Sequence, residues 1–433
     1  MPSNEQTPPP APSPVTSPVG HLLVVGDERD IVAYARELSP GLRTSVLCTP
    51  QEARKSGRAE DHRRVVVLDE HAPAGEWVAA ARFVHAVEPV DRVVCYGEAG
   101  QTPAAEIALE LGLSWHTPQT VRAVDSKKLM RERLAGAGVD DTPCIEAGTA
   151  EEIAEFGARV GYPLICKPGK GVGSHGVVRL EGPDGLDGLL AVSRSAAAGL
   201  HHTEVLVEPF HEGAEFSVEC LSENGEHLAL CVTEKHLLPG GFVELGHVLP
   251  APLAAADEHR IVTTVARALD ALGIREGASH TEVIVTGETV RIVETHLRQG
   301  GDRIPYLLRE ARGVDIVAAL ARQSIGLPSL GEARSQLEKA AGDTRSAAIW
   351  YATPQAPGEI VEVLGADEIR TRPGICDVVV RSGPGDRLEP VTSSGGRPAH
   401  VWVVAEGPEE ALAAARTAVA GLRFVVAVPG SPA

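Results

Sequence analysis

Several residue types that shape other classes of protein are scarce in this 433-residue sequence. Aromatic residues make up 3% of it, and only two methionines are present. No run of about 18 apolar residues occurs, so we expect no membrane-spanning helix and no membrane partner. The seven cysteines are scattered without C-x-x-C spacing, which is typical of reduced thiols and argues against a disulfide framework or a zinc site. We therefore expect a cytoplasmic protein.

The first 19 residues lack both a basic segment and an apolar segment and are rich in Pro and Ser. We interpret them as a disordered tail and not as a secretion signal. Positive charge is also in the minority, because the net charge of the chain is −19. A general nucleic-acid surface needs clustered positive charge, so we expect no nucleic-acid partner.

Lysine is the scarcer of the two basic residues, and its distribution is uneven. Five of the seven lysines lie between residues 127 and 235. A GC-rich genome also favours Arg over Lys, which would explain the scarcity alone. The clustering nevertheless favours a phosphate ligand in this region, because an ammonium group is a flexible point charge that suits phosphate.

Apolar runs and helix-like stretches alternate along the chain and divide it into regions. Four apolar runs separated by helix-like stretches predict a parallel α/β domain over 20–125. Strands, a glycine-rich loop and helices follow over 126–330. Residues 331–433 alternate again and are predicted to form a small C-terminal α+β domain. The predicted fold class is therefore multidomain, combining α/β and α+β regions.

The stretch CKPGKGVGSHGVV contains the pattern G-x-G-x-x-G at Gly171, Gly173 and Gly176. A dinucleotide-binding turn needs a helix after this pattern, but the residues that follow are β-branched, and 174–180 is predicted as a strand. No G-K-[ST] ends the loop, so a Walker A loop is also excluded. The loop is better interpreted as a β-hairpin tip that closes over a triphosphate with its backbone N–H groups, with Lys167 before it, although a plain glycine-rich turn has the same pattern.

A second constellation lies in GASHTEVIVTGETVRIVETHLRQGGDRIP. Two strands with a two- or three-residue turn at 286–288 are predicted to place Glu282 opposite Glu294. Opposed carboxylates destabilise a sheet unless a cation lies between them, and Mg²⁺ prefers carboxylate ligands. Strand periodicity puts His296 and Arg298 on the same face as Glu294. The alternative is a solvated strand face that carries charges without a ligand.

The segment VEPFHEGAEFSVE lies between these two constellations. Glu208, Pro209 and Phe210 end a predicted strand and could line an adenine pocket through backbone polar groups and an aromatic wall. Glu215 starts the next strand, where it could accept hydrogen bonds from ribose hydroxyls. Each of these residues is unremarkable alone.

Taken in order, these segments resemble the ATP-grasp superfamily of ligases. The matching motifs are K-x-x-M-R with Lys127, a strand lysine before GKGVGSHGV, V-E-P-F, G-x-E-x-S-V with Glu215 and Glu219, and H-T-E…E-x-H-x-R. The resemblance covers about 20–430 and implies an N-terminal pre-ATP-grasp domain and a lid subdomain over about 126–210. The stretch TEKHLLPGGFVELGHVLPAPL is similar to the substrate loop of L-amino acid ligases, which join amino acids in bacterial natural-product pathways.

The resemblance also implies a role for each matching residue. Catalysis is expected from Arg298, Lys167, Gly171 and Gly173. The nucleotide would be held by Lys127, Lys167, Gly171, Val172, Gly173, Ser174, Gly176, Glu208, Pro209, Phe210 and Glu215. The metal ligands would be Glu282, Glu294 and His296, and the substrates would meet Glu219, His247, Arg298, Gly300 and Gly301.

Two of these assignments have open alternatives. Many members carry Asn at the position of His296, and imidazole binds Mg²⁺ less readily than an amide oxygen does. His296 is therefore expected either as a ligand or as a residue that lies behind the ligands or meets the substrate. His247 is expected either to meet the amino acid substrate or to be a histidine of a surface loop.

The implied activity is ATP-dependent, ADP-forming ligation of a carboxylate to an amine through an acyl-phosphate. ATP and Mg²⁺, with Mn²⁺ as a substitute, are the implied cofactors, and an amino acid or small carboxylate and an amine are the substrates. The resemblance also allows a homodimer. The alternatives are a γ-glutamyl or other amide ligase, a nucleotide-binding relative without turnover, and an oxidoreductase that uses the glycine pattern for a dinucleotide.

Overall fold

The computed structural model describes residues 19–28, 30–56, 59–168, 173, 176–184, 186, 205–354 and 356–427. Contacts along the chain divide it into two compact units. The first unit ends at Val121 and also includes Val317–Ser329, and the second comprises Arg122–Ile316 and the chain from Leu330 onward. Each unit is considered separately.

The helices and strands follow one another through both units. The strands are β1 His21–Val25, β2 Arg43–Cys48, β3 Arg64–Val67, β4 Arg92–Val94, β5 Ile145–Ala147, β6 Leu164–Pro168, β7 Val178–Leu180, β8 Val205–Pro209, β9 Ala214–Glu223, β10 Glu226–Leu237, β11 Glu244–Leu249, β12 Gly277–Thr286, β13 Thr289–His296, β14 Arg345–Tyr351, β15 Gly358–Leu364, β16 Ile375–Val380, β17 Arg387–Leu388, β18 Ala399–Glu406 and β19 Arg423–Val426. The described α-helices are α1 Ile31–Leu38, α2 Pro50–Ser56, α3 Ala74–Val87, α4 Gln101–Leu111, α5 Pro118–Asp125, α6 Lys127–Gly136, α7 Ala150–Val160, α8 Ala255–Leu272, α9 Ile304–Arg312, α10 Ile316–Ser324, α11 Leu330–Lys339, α12 Ala366–Arg370 and α13 Pro408–Ala420.

The first unit is built on a parallel sheet with the strand order β3-β2-β1-β4. The central strand β1 is fully buried, as its uninterrupted apolar run HLLVV predicts. Helices α3 and α4 pack against each other and contribute Trp77, Ala81 and Ile107 to the core of this unit. The predicted parallel α/β architecture is confirmed.

A four-stranded antiparallel sheet with the order β5-β8-β6-β7 forms one part of the second unit. Its helix α7 begins with a capping box between Thr149 and Glu152. The strand predicted at 174–180 begins only at Val178, because Gly173 and Gly176 have φ values of 69° and 74°, which an extended strand does not accommodate.

An eight-stranded sheet with the order β13-β12-β9-β10-β11-β14-β18-β16 forms the larger part of the second unit. Strand β11 was not predicted, and the sequence suggested a loop at this position. His247 lies on β11, opposite Ile349 of β14, and is 3% exposed. The alternative of a surface-loop histidine is therefore wrong. The segment before β11 is rich in glycine, which is typical of a turn, and this explains the wrong prediction.

The hairpin of β12 and β13 lies at one edge of this sheet and contains a β-bulge. A two-residue turn pairs Thr286 with Thr289 and sets the register as far as Val283, which lies opposite Ile292. The next pair is Glu282 with Glu294, so Val293 has no partner in the ladder. The predicted pairing of the two glutamates is confirmed. It depends on the bulge, because the turn alone would place Val293 opposite Glu282.

The remaining strands lie in the C-terminal part of the second unit. Strands β14, β16 and β18 extend the eight-stranded sheet, and helix α13 packs on β14 and β18. A small sheet with the order β17-β15-β19 lies in the same region. None of the helices in the described part of the chain is long and apolar enough to cross a bilayer.

Candidate active site

Two opposed carboxylates and an imidazole form the centre of the site. One ligand atom each from Glu282, Glu294 and His296 lies within 4.8 Å of the others. Two ammonium groups balance the carboxylates: Lys127 Nζ lies 2.7 Å from Glu294, and Lys235 Nζ lies 2.6 Å from Glu282. The donor set is dominated by carboxylate oxygens, as Mg²⁺ prefers, so these residues fit a divalent cation.

The charges in this cluster hold both carboxylates in the ionised form. Burial alone would raise the pKa of Glu294, but the Lys127 ammonium and the hydrogen bond with His296 hold it well below its usual range. The pKa of Glu282 is likewise lowered, since Lys235 and His280 outweigh its burial. His296 is 8% exposed and its Nε2 lies 3.1 Å from Glu294 Oε1. Both carboxylates are therefore ionised and can serve as ligands to a cation.

Lys235 lines both cavities of the candidate site, and motif reasoning missed it. It lies on β10, and its ammonium group also approaches Glu244 at 3.3 Å and Glu215 at 3.9 Å. Burial would lower its pKa, but the carboxylates that surround it raise it. The clustering of lysines between 127 and 235 pointed to this region but could not place the side chain opposite Glu282.

His280 and Glu219 lie directly behind the carboxylates. His280 Nδ1 is 2.6 Å from Glu219 Oε1, and its Nε2 is 3.4 Å from Glu282 Oε1. Glu219 also accepts hydrogen bonds from the Gly300 N–H at 3.0 Å and from the Ser217 hydroxyl at 3.3 Å. Glu219 is 1% exposed. It does not line either of the two cavities that the described residues form around the carboxylates. Its position fits support of His280 and of the Gly300 backbone better than the predicted contact with a substrate.

The strand lysine before the glycine loop is part of a buried ion network. Lys167 Nζ lies 2.9 Å from Glu208, which also accepts two hydrogen bonds from Arg131. Although burial would raise it, the pKa of Glu208 is lowered to about 2 by these two cations. The Phe210 N–H donates to Pro163 O at 2.9 Å. The Glu208 carboxylate and the Phe210 N–H therefore already have hydrogen-bond partners. Adenine would have to bond to other backbone groups of the segment VEPFHEGAEFSVE.

Two adjoining cavities meet at the carboxylates, and both are lined by Gly173, Lys235, Glu282 and Glu294. The first cavity is also lined by Lys127, Arg131, Ile165, Lys167, Pro168, Val177, Glu208, Pro209, Phe210, His211, Glu215, Phe242, Ile284, Arg291, Ile292 and Val293. The second is also lined by Glu244, His247, His280, His296, Arg298, Gly301, Asp302, Ile304 and Ser394. The first cavity contains seven of the eleven residues predicted to hold the nucleotide, and the second contains three of the five predicted to meet the substrates.

A cluster at the second cavity involves residues that are distant in sequence. His247 Nε2 lies 3.0 Å from Asp302, which also pairs with Arg397 through two contacts of 2.7 Å. Arg397 also donates to the Glu244 carbonyl, and the Ser394 hydroxyl donates to the Glu244 carboxylate at 2.8 Å. Asp302 and Arg397 belong to no motif, so their contacts with His247 and with each other could not be predicted from the sequence.

The glycine loop is described only in part. Gly173 O accepts a hydrogen bond from the Ser394 N–H at 3.3 Å, which ties the loop to the second cavity. Gly176 has a φ of 74° and precedes β7. The predicted roles of Gly171, Val172 and Ser174 fall outside the described residues.

Comparisons with known proteins show which families and which fold the chain resembles. Residues 160–305 match the ATP-grasp domain family, and residues 350–427 match the L-amino acid ligase C-terminal domain 2. The crystal structure of an L-amino acid ligase from Bacillus licheniformis superimposes with a TM-score of 0.79 at 24% identity, covering 95% of this chain and 100% of that chain. The shared fold confirms the predicted ATP-grasp architecture.

Two curated relatives are similar over most of the chain. Protein y4rH of Sinorhizobium fredii is 29% identical over 303 residues, which cover 66% of this chain and 60% of the relative. Dapdiamide A synthase of Enterobacter agglomerans is 28% identical over 299 residues, which cover 67% of this chain and 69% of the relative. The match thus spans about three fifths of the first relative's length.

Proposed function

We propose that this chain is an ATP-grasp ligase that joins a carboxylate to an amine at the expense of ATP, forming ADP and phosphate. The observation that carries this proposal is the junction of two cavities at one carboxylate pair, Glu282 and Glu294. A nucleotide in the first cavity and a carboxylate in the second would meet where the cation ligands are. This arrangement suits phosphoryl transfer from one cavity to the other.

The reaction would proceed in two steps. The substrate carboxylate attacks the terminal phosphoryl group of ATP, which gives an acyl-phosphate and ADP. The amine then attacks the acyl carbon, loses a proton and expels phosphate, which leaves an amide bond. Positioning and charge neutralisation supply most of the catalysis in phosphoryl transfer.

Three cationic side chains would neutralise the phosphates and the developing oxyanion. Lys127 and Lys167 line the first cavity, where they would exchange their carboxylate partners for phosphate oxygens. Arg298 lines the second cavity and would donate to the acyl-phosphate and to the tetrahedral intermediate. Glu282, Glu294 and His296 would hold Mg²⁺, which supplies charge stabilisation to the transferred phosphoryl group.

We infer that the substrates are amino acids, joined in a natural-product pathway. This is supported by the L-amino acid ligase C-terminal domain and by the similarity to dapdiamide A synthase. His247 on β11 and Gly301 line the second cavity and are the residues we assign to the amino acid. Replacement of Mg²⁺ by Mn²⁺, a homodimer and a cytoplasmic location stay predictions.

The test is release of ADP and phosphate by the purified chain against a matrix of amino acid pairs, with product masses read by mass spectrometry. A product with the mass of the two substrates minus water supports the proposal. Fragmentation of that product separates an α-peptide from a γ-glutamyl amide. ATP binding without ADP release in every mixture would instead indicate a nucleotide-binding protein without turnover.

A further inference from the structure

Arg131 lies one helical turn after Lys127 on α6 and is almost fully buried, with 4% of its side chain exposed. Its guanidinium group donates two hydrogen bonds to Glu208, from Nε to Oε1 at 2.6 Å and from Nη2 to Oε2 at 3.2 Å. Glu208 in turn pairs with Lys167. One side of this arginine is therefore connected to a lysine that we assign to the phosphates.

The other side of Arg131 reaches the carboxylate hairpin. Its Nη1 donates to the backbone carbonyl of Ile292 and lies 3.5 Å from Asp140 Oδ2. Asp140, whose side chain is fully buried, accepts a hydrogen bond from the Ile292 N–H at 2.7 Å. Arg131 and Asp140 thus bond to both the C=O and the N–H of Ile292.

These two backbone groups point away from the sheet. Ile292 lies on β13, the edge strand, opposite Val283 of β12. In an antiparallel ladder, residues alternate between exchanging hydrogen bonds with the partner strand and directing them outward. Arg131 and Asp140 bond to Ile292 where a further strand would otherwise pair with β13. They therefore hold the backbone of this edge strand in place at Ile292.

The fixed residue is the one beside the bulge. Val293 follows Ile292 and has no partner in the ladder, and Glu294 comes next. A bulge bends its strand and increases the local twist, so the direction of Glu294 depends on how the chain is held at the bulge. Arg131 and Asp140 hold it there from outside the sheet.

We propose that Arg131, with Asp140, is a positioning residue that sets the separation between the phosphate lysine Lys167 and the metal carboxylate Glu294. The proposal deepens the proposed function and rests on it. An arginine suits this task because its planar group offers five donors in a fixed geometry, so one side chain can hold Glu208 and the Ile292 carbonyl together. A lysine at the same position would keep the charge but hold fewer acceptors in place.

A buried ion pair that serves the fold alone would have the same contacts, and such pairs are often replaceable without loss of stability. The two roles differ in what a conservative change does to the metal site. If Arg131 only stabilises the fold, then Arg131→Lys should weaken metal binding no more than an unrelated change in the core. If Arg131 positions Glu294, metal binding should weaken specifically.

The experiment measures Mn²⁺ binding in the presence of ADP by electron paramagnetic resonance, with an ADP-only blank, for the full chain. The variants are Arg131→Lys and Ile369→Val, the latter a change in the fully buried core of the C-terminal region. We expect the dissociation constant of Mn²⁺ to rise about tenfold or more in Arg131→Lys, as when partners behind metal ligands are lost, and to stay unchanged in Ile369→Val. A rise of less than about threefold, or an equal rise in both variants, overturns the proposal.

A second variant keeps the test decisive if Arg131→Lys does not fold. Asp140→Asn retains an acceptor for the Ile292 N–H but removes the charge that faces Arg131, and the same threshold applies to it. Excess Mg²⁺ should also restore turnover in the positioning variants more than in Ile369→Val. Wild-type protein that binds Mn²⁺ but forms no product would contradict the proposed function and leave this measurement valid.

Discussion

Glu282 lies opposite Glu294 because one residue between them on the chain, Val293, is left out of the ladder. The turn that pairs Thr286 with Thr289 would, without the bulge, place Val293 opposite Glu282. Glu294 would then point to the other face of the sheet, since successive side chains alternate. The carboxylate pair is therefore a product of the bulge.

Glu294→Gln should lower Mg²⁺-dependent ADP formation by about 100-fold or more, because a neutral amide replaces an anionic ligand. Lys127 also loses its ion-pair partner in this variant. ADP release followed by a coupled assay is the measurement, and Glu288→Gln on the exposed turn of the same hairpin is the control. Turnover close to wild type would refute the metal assignment.

Arg298→Ala should reduce product formation by about 100-fold while ATP binding changes little, because its donors would act on the acyl-phosphate and the oxyanion. Arg298 lines the second cavity and not the first. Product mass and calorimetric ATP binding are measured on the same preparation. A loss confined to ATP affinity would show that the guanidinium group serves the nucleotide.

Gly300→Ala should destabilise the protein and impair turnover. A Cβ atom at Gly300 would lie 2.8 Å from Glu219 Oε2, which would displace the carboxylate that holds His280. The expected loss is about 1–3 kcal/mol in the free energy of unfolding, as for other overpacked sites. Gly301→Ala is the matched control for the free energy of unfolding alone, because its Cβ would meet nothing within 4 Å. Equal unfolding free energies for both variants would contradict this account.

Acidification should remove a stabilising contribution of Glu208. Burial opposes its ionisation, but Lys167 and Arg131 lower its pKa from the ordinary 4.5 to about 2. A carboxyl group with a lowered pKa stabilises the folded state above its unfolded pKa, and this is lost as pH falls through the folded one. The difference in unfolding free energy between wild type and Glu208→Gln should therefore shrink between about pH 4.5 and pH 2.

Denaturant unfolding of both proteins across this range is the measurement, with Glu288→Gln as the control. A difference that stays constant with pH would mean that the Glu208 carboxyl is not held ionised by the two cations.

The sequence predicted best where a pattern is local. The alternation of apolar runs and helices in the first unit and the hairpin around Gly287 depend on neighbours along the chain, and both predictions agree with the structure. The glutamates of the hairpin were paired correctly, although turn length alone gives another register. Bulges depend on contacts such as those of Ile292 with Asp140, 152 residues away, which no local pattern reports.

The parts that could not be predicted depend on contacts between distant strands. Lys235 reaches Glu282 across 47 residues, and Arg397 reaches Asp302 across 95. Each of these side chains is an ordinary charged residue in its own segment. The strand order of the eight-stranded sheet and the connections at its strand ends bring them together, and neither is encoded in periodicity.

The position of the hairpin at the border of a sheet has a further consequence. An edge strand offers unpaired N–H and C=O groups to which a foreign strand can add, and such addition is a route to aggregation. At Ile292 both groups are already bonded to charged side chains, which a foreign backbone would have to displace from a buried position. Arg131 and Asp140, which we propose position Glu294, therefore also oppose the addition of a foreign strand to the hairpin of β12 and β13.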